Sequence, residues 1–275
     1  MKFYFSKIAE IKPPEIEQKE YEIDPLKFGN IFHNSLEKIF KPYVNNEIKI
    51  ADIDEIKTKI DNIIMETISE ELSHAQNATQ SGVNYIIFNV IRKYISNFLE
   101  FDKKYAPFNI LSVERSKTYK GTFDVNIHDK NHTISLISVF DRVDIKDDKI
   151  RIIDYKTGSD DLSINNIDEL FDTDKYRNSK KAIFQMILYS LIYKQHFPTV
   201  YFEPLLFKST ELSYNQNANI TINRAPLNSF STDIFKSFKE HLILLLQDIF
   251  DKDEPFMQTC LLYTSDAADE EDSVD

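Results

Sequence analysis

Apolar residues recur at helical spacing in three successive stretches of the first hundred residues. Leu26, Phe28, Ile31, Phe32, Leu36, Ile39 and Phe40 form one stripe, and Asp24-Pro25 before it predicts a cap with proline in the first turn. Ile53, Ile56, Ile60, Ile63, Ile64 and Ile68 predict a second helix over roughly 52–73. Val83, Ile86, Ile87, Val90, Ile91, Tyr94, Ile95 and Phe98 predict a third over about 82–104. Each has one apolar face, so the three are expected to pack together. Between 109 and 156 the pattern shortens to β-rich runs broken at Asp129–Asn131 and Lys146–Lys149, which predicts an antiparallel meander. Helical spacing returns near 180–196, followed by a strand in TVYFEPLLF and a last helix near 231–250. The chain has no internal repeat and no low-complexity linker.

The run VFDRVDIKDDKIRIIDYK reads as a hairpin whose turn centres between Asp147 and Asp148, which sets Asp141 opposite Asp154 and Asp144 opposite Arg151. Because strand side chains alternate, Val139, Asp141, Val143 and Ile145 share a face with Ile150, Ile152, Asp154 and Lys156. That face is apolar near the turn and ionic at its far end. On the other face, the Asp144–Arg151 pair is expected at the surface, where such a pair contributes little.

Two carboxylates and an amine at the end of an apolar face need a counterpart, because unpaired buried charge is expensive. A divalent cation supplies one, and a small set of hard oxygen ligands suits Mg²⁺. Lys156 beside them could orient or help deprotonate an attacking water and offset charge on a phosphorane. The competing reading is a structural ion-pair cluster of Asp141, Asp154 and Lys156.

Composition narrows the field. The 275 residues are 42% hydrophobic and 28% charged, enough for one soluble globular domain with its own core. No apolar run is long enough to span a bilayer, and MKFYFSKIAEIKPPEIEQKE is too charged and broken for a secretory signal, so the expected address is the cytoplasm, with no membrane partner. With four glycines and neither GxxxxGK[ST] nor GxGxxG, the sequence offers no phosphate-cradling loop. The final segment, CLLYTSDAADEEDSVD, lacks periodicity and resembles a conceptual translation of a transposon-based sequencing adapter. Cys260–Asp275 is therefore expected to be a non-native, disordered tail after a natural domain over 1–259. Leaving it out moves the formal charge from -12 to -6 and removes the only cysteine. An acidic balance works against DNA binding unless a local basic channel offsets it.

Four separated motifs carry a family resemblance. GNIFHNSLE (Gly29–Glu37), FDRVD around Asp141, DYKTG from Asp154 and QMILY (Gln185–Tyr189) stand in the order found in the PD-(D/E)XK nucleases. The chain is identified there as a RecB-like member, similar to the nuclease domain at the C-terminal end of RecB and AddB-type helicase-nuclease subunits. The resemblance covers most of residues 1–259. It implies an α/β fold with a restriction-endonuclease-like αβββαβ core, a mixed central sheet containing an antiparallel hairpin, and additional N-terminal helices.

It also implies roles. His33, Asp141, Asp154 and the backbone carbonyl of Tyr155 would hold Mg²⁺, with Mn²⁺ as an alternative. Lys156 would be the catalytic lysine, and Gln185 and Tyr189 would order the substrate and the active site. The implied activity is metal-dependent hydrolysis of DNA phosphodiester bonds, on single-stranded ends fed by a helicase subunit or a fused helicase-like region, in recombinational repair. MKFYFSK resembles a segment that follows a longer helicase-like region, which would make Met1 internal to a larger polypeptide. Taken singly, His33 more often reads as a packed helix histidine, and Gln185 with Tyr189 as a surface pair one turn apart. Lys175, Arg177, Lys180 and Lys181 could contact phosphates or form a solvated run. A catalytically inactive DNA-binding or scaffolding module of a helicase complex is the alternative from another class.

Two departures from the family pattern stand out. A glycine usually precedes the DRxD aspartate, and here Ser138, Val139 and Phe140 fill that stretch. Many AddB-type relatives bind an iron-sulfur cluster through flanking cysteines, and this fragment, whose one cysteine lies in the adapter-like tail, does not support one.

Overall fold

The structure is a computed structural model and describes residue 23 and residues 25–72, 82–114, 117–158, 160–172, 180–208 and 218–253. The helix stripes form helices close to their expected limits: α1 (Pro25–Phe40), α2 (Ile50–Glu71) and α3 (Gly82–Tyr105). Asp24, the expected cap of α1, lies outside the described residues. At the start of α2, Asp52 accepts a hydrogen bond from the Lys49 backbone N–H (2.8 Å), satisfying a donor that the first turn leaves open.

The strands are β1 (Glu47–Ile48), β2 (Phe108–Val113), β3 (Thr118–Ile127), β4 (Lys130–Val139), β5 (Arg142–Lys146), β6 (Lys149–Lys156), β7 (Ser163–Ile164), β8 (Phe202–Lys208), β9 (Thr221–Ile222) and β10 (Ala225–Pro226), with α4 (Lys181–His196) before β8 and α5 (Thr232–Phe250) at the end. The main sheet has the order β1-β2-β5-β6-β8 and is mixed: β6 and β8 run parallel, the other neighbours antiparallel. The meander expected over 109–156 is corrected here. β2 pairs with β5, and β3 and β4 form a two-stranded ribbon of their own. Strict alternation along β3 explains the separation. Tyr119, Gly121, Phe123 and Val125 are buried between exposed neighbours, giving a one-sided ribbon that covers α4 and α5, whereas a central strand is buried on both faces.

β6 is such a central strand. Ile153 and Tyr155 join a core with α1, α2 and α3, and Ile150 and Ile152 join a second core with α4, α5 and the β3–β4 ribbon. The β5–β6 register is the one expected, with Asp144 opposite Arg151 and Val143 opposite Ile152. The position of the Asp144–Arg151 pair is corrected. Both side chains are buried, because α3 lies over that face and supplies a second acid, Asp102.

The ribbon fits α4 closely at one point. A β-carbon built on Gly121 would stand 2.6 Å from Ile192 Cγ1, nearer than packed carbons approach. Gly121→Ala is therefore expected to destabilise the protein by about 1–3 kcal/mol through overpacking. Urea unfolding measures this, and an unchanged midpoint would show that the ribbon shifts freely on α4.

Candidate metal and catalytic centre

The ionic residues meet at one end of the main sheet. Asp141 stands one residue before β5, beyond the last β5–β6 ladder pair, and Asp154 and Lys156 close β6. Asp141 Oδ2 accepts a hydrogen bond from the Tyr155 backbone N–H (2.6 Å), so the first acid is fixed by the strand that carries the second. α1 brings His33 to the same edge. Its buried stripe of Ile31, Phe32, Leu36, Ile39 and Phe40 anchors the helix in the core and leaves His33 half-buried beside Asp141, at 3.5 Å. At Gly29, one turn earlier, an added β-carbon would meet Thr157 Oγ1 at 3.9 Å, so α1 starts against the chain that leaves β6.

Glu114, which the sequence analysis did not single out, completes the group. Its Oε1 lies 3.3 Å from His33 Nδ1, and its backbone N–H donates to the carbonyl of Asp141 (2.8 Å). The ligand atoms of His33, Glu114 and Asp141 all lie within 4.8 Å of one another. Glu114 holds φ at 42°, a left-handed conformation that is unfavourable for a glutamate and typical of functional sites. Its only sequence signal is an acid closing an apolar strand run, ILSVE.

The compact triad does not include Asp154. That carboxylate lies at the side facing α4, where its Oδ2 is 2.9 Å from Lys156 Nζ but is buried outside hydrogen-bond alignment with any donor. Lys156 Nζ instead donates to Gln185 Oε1 (2.9 Å), and Gln185 Nε2 donates to the Tyr189 hydroxyl (3.0 Å). Asp154, Lys156, Gln185 and Tyr189 thus form one polar chain from the sheet edge along α4. Phe140, in the stretch where the family carries glycine, packs its ring edge-on against Tyr189 (5.5 Å) and holds the end of that chain. Tyr155, between Asp154 and Lys156, turns its ring into the opposite core against His33, Phe32 and Phe98. Lys180 is tied to Glu169 (2.7 Å), so it braces the start of α4; Lys175 and Arg177 lie outside the described residues.

Burial and crowding of the acids set the electrostatics of this edge. Burial, and then Asp141, push the Asp154 carboxyl up to about 7 despite Lys156. Burial likewise raises Glu114, with Asp141 adding to the effect against the pull of His33. At His33 burial acts downwards, and is outweighed by the carboxylates of Asp141 and Glu114, which hold the imidazolium up to about 10. The lysine follows the same logic, since burial is outweighed by Asp154 and Lys156 keeps its proton. Three crowded acids, one with a buried oxygen lacking a hydrogen bond, are a donor set suited to a hard divalent cation. His33, Glu114 and Asp141 would hold it, with Asp154 beside them.

The mixed sheet with its antiparallel hairpin, flanked by helices on both faces, is an α/β core of the kind that PD-(D/E)XK nucleases share. The model of the PD-(D/E)XK nuclease superfamily matches residues 1–261, and the chain belongs to that superfamily. Among curated proteins it is similar to the B-type subunit of the ATP-dependent helicase/deoxyribonuclease of Alkaliphilus metalliredigens (strain QYMF), 28% identical over 163 residues, covering 55% of this chain and 14% of that protein. The proteins of the same description from Clostridioides difficile (strain 630) and Alkaliphilus oremlandii (strain OhILAs) are 28% and 26% identical, over 54% and 55% of this chain and 14% of each relative. The chain thus spans about one seventh of the length of the curated relatives it matches. A solved structure titled "Crystal structure of SSO0001" aligns over 82% of this chain and 87% of that one, at 13% identity and a TM-score of 0.23. Among the described residues, no helix is long and apolar enough to cross a membrane.

Proposed function

We propose that this chain is the metal-dependent deoxyribonuclease module of a helicase-nuclease, hydrolysing DNA phosphodiester bonds in recombinational repair in the cytoplasm. Its substrates would be single-stranded ends delivered by a helicase subunit or a fused helicase-like region, and the module would occupy residues 1–259. The observation that carries the proposal is the His33–Glu114–Asp141 cluster next to the Asp154–Lys156–Gln185–Tyr189 chain. Membership of a nuclease superfamily and the names of the relatives support it.

A bound Mg²⁺ supplies Lewis acidity toward a phosphoryl oxygen and makes water a stronger nucleophile at neutral pH. The residues of the chain do the rest. His33, as the neutral imidazole, would hold the cation together with the carboxylates of Glu114 and Asp141. Lys156 holds a fixed positive charge, aimed by Asp154 and Gln185, where negative charge grows on the phosphate in the transition state. Its raised proton affinity suits it to orient water and stabilise charge more than to act as a free base. Gln185 keeps the lysine and Tyr189 in one line, so a backbone lying along α4 meets the ammonium at a set angle.

The test is incubation of the chain with end-labelled single-stranded and duplex DNA, with Mg²⁺ or with excess chelator. Cleavage that chelation stops is expected; cleavage surviving chelation would contradict the metal requirement, and no cleavage by a chain that binds DNA would point to the scaffolding alternative. Glu114 supplies a second check. Glu114→Gln is expected to weaken Mn²⁺ binding by at least about 10–100-fold, the loss that removing even an outer partner of a metal ligand causes. Calorimetric titration without DNA measures it, and unchanged affinity would remove Glu114 from the site.

A further inference from the structure

Behind the sheet edge, on the face opposite Asp154 and Lys156, lies a charged cluster that the proposed chemistry does not touch. Arg142, the residue after Asp141, is fully buried, with its two terminal nitrogens on Asp102 Oδ2 (2.6 Å) and Oδ1 (2.8 Å). Its Nη2 also lies 3.0 Å from Asp144, which takes two hydrogen bonds from Arg151 (2.7 Å each). Two acids and two bases balance, so the group is neutral as a whole. The Arg142 guanidinium stands over three aromatic rings, Phe40 of α1 at 4.6 Å, Phe98 of α3 at 4.9 Å and Phe108 of β2 at 5.3 Å.

Those three elements, with β5, carry or border every member of the candidate metal triad. Phe40 lies two turns beyond His33 on α1, and Phe98 packs against Tyr155, whose ring backs His33 (5.9 Å). β2, which carries Phe108, ends at Val113 opposite Arg142, and Glu114 follows directly. We propose that Arg142, clamped by Asp102, is a positioning residue that sets the spacing of His33, Glu114 and Asp141, and so tunes cation affinity from the far side of the sheet. The inference rests on the metal-dependent reading above. A purely fold-holding role is the competing explanation, and the two separate because a buried ion pair stabilises little beyond what a well-packed apolar pair would. The Arg142 fork instead fixes direction, which an apolar pair cannot do.

The experiment uses the 275-residue chain and the charge-balanced double variant Arg142→Met/Asp102→Leu, which leaves Arg151–Asp144 intact. Melting temperature, circular dichroism and Mn²⁺ affinity by calorimetry without DNA are measured on both. The double variant is expected to keep the parent spectrum and to melt near the parent, while its Mn²⁺ affinity falls at least tenfold. Affinity within twofold of the parent in a folded variant would overturn the positioning role and leave the metal-dependent reading standing. A parent chain that binds no Mn²⁺ would overturn both. If the double variant does not fold, Arg142→Lys decides: it keeps the charge and loses the planar fork, so a tenfold loss of affinity in the folded protein supports the role and an unchanged affinity overturns it.

Discussion

Asp141→Ala is expected to lower metal-dependent DNA cleavage by on the order of 10³-fold, equivalent to about 4 kcal/mol of lost transition-state stabilisation. The size follows from what Asp141 does in the structure. It faces His33, takes the Tyr155 N–H, and receives the Glu114 N–H on its backbone carbonyl, so it joins the three chain segments that build the site. The substitution removes the carboxylate but leaves that backbone contact, and the side chain lies at the sheet edge instead of deep in the core. The protein should therefore stay folded while Mn²⁺ affinity falls with activity. Steady-state cleavage together with calorimetry checks both halves, and retained cleavage at saturating Mg²⁺ would remove Asp141 from the reaction.

Arg142→Met alone is expected to have the largest effect on stability, a loss of about 3–5 kcal/mol, because it leaves two buried acids, Asp102 and Asp144, to share the single guanidinium of Arg151. For a domain of this size that corresponds to a melting temperature lower by roughly 6–20 °C. Scanning calorimetry of the single variant beside Arg142→Met/Asp102→Leu isolates the cause. The same arginine is missing in both, so a double variant that melts above the single one attributes the loss to the excess buried acid. Equal melting temperatures would mean that the lost aromatic stacking dominates.

The hairpin was legible because its turn is symmetric and its two strands are adjacent in sequence. Reading outward from Asp147 and Asp148 gave the β5–β6 pairs without knowledge of any other element. Burial of Asp144 and Arg151 was not legible, because it depends on α3, about forty residues upstream, placing Asp102 and Tyr105 over that face. Glu114 was hidden for a related reason. Its approach to Asp141 requires β2 to pair with β5 across the whole β3–β4 ribbon, through a register shift between Ile110 and Ser112. Periodicity placed the strands, but the same alternation suits a meander and a separate ribbon. The α1 stripe gave the helix and its buried face, whereas the reach of His33 to the sheet edge follows from how α1 packs on the sheet.

The measurement that bears most directly on the central claim is cleavage of end-labelled single-stranded DNA by the chain in Mg²⁺ and in chelator, beside Lys156→Ala. The account predicts cleavage that needs Mg²⁺ and falls by about 10²–10³-fold in a variant that still folds and binds DNA. Equal cleavage by Lys156→Ala and the parent would contradict the assignment of the Asp154–Lys156–Gln185 chain as the catalytic edge of this fold.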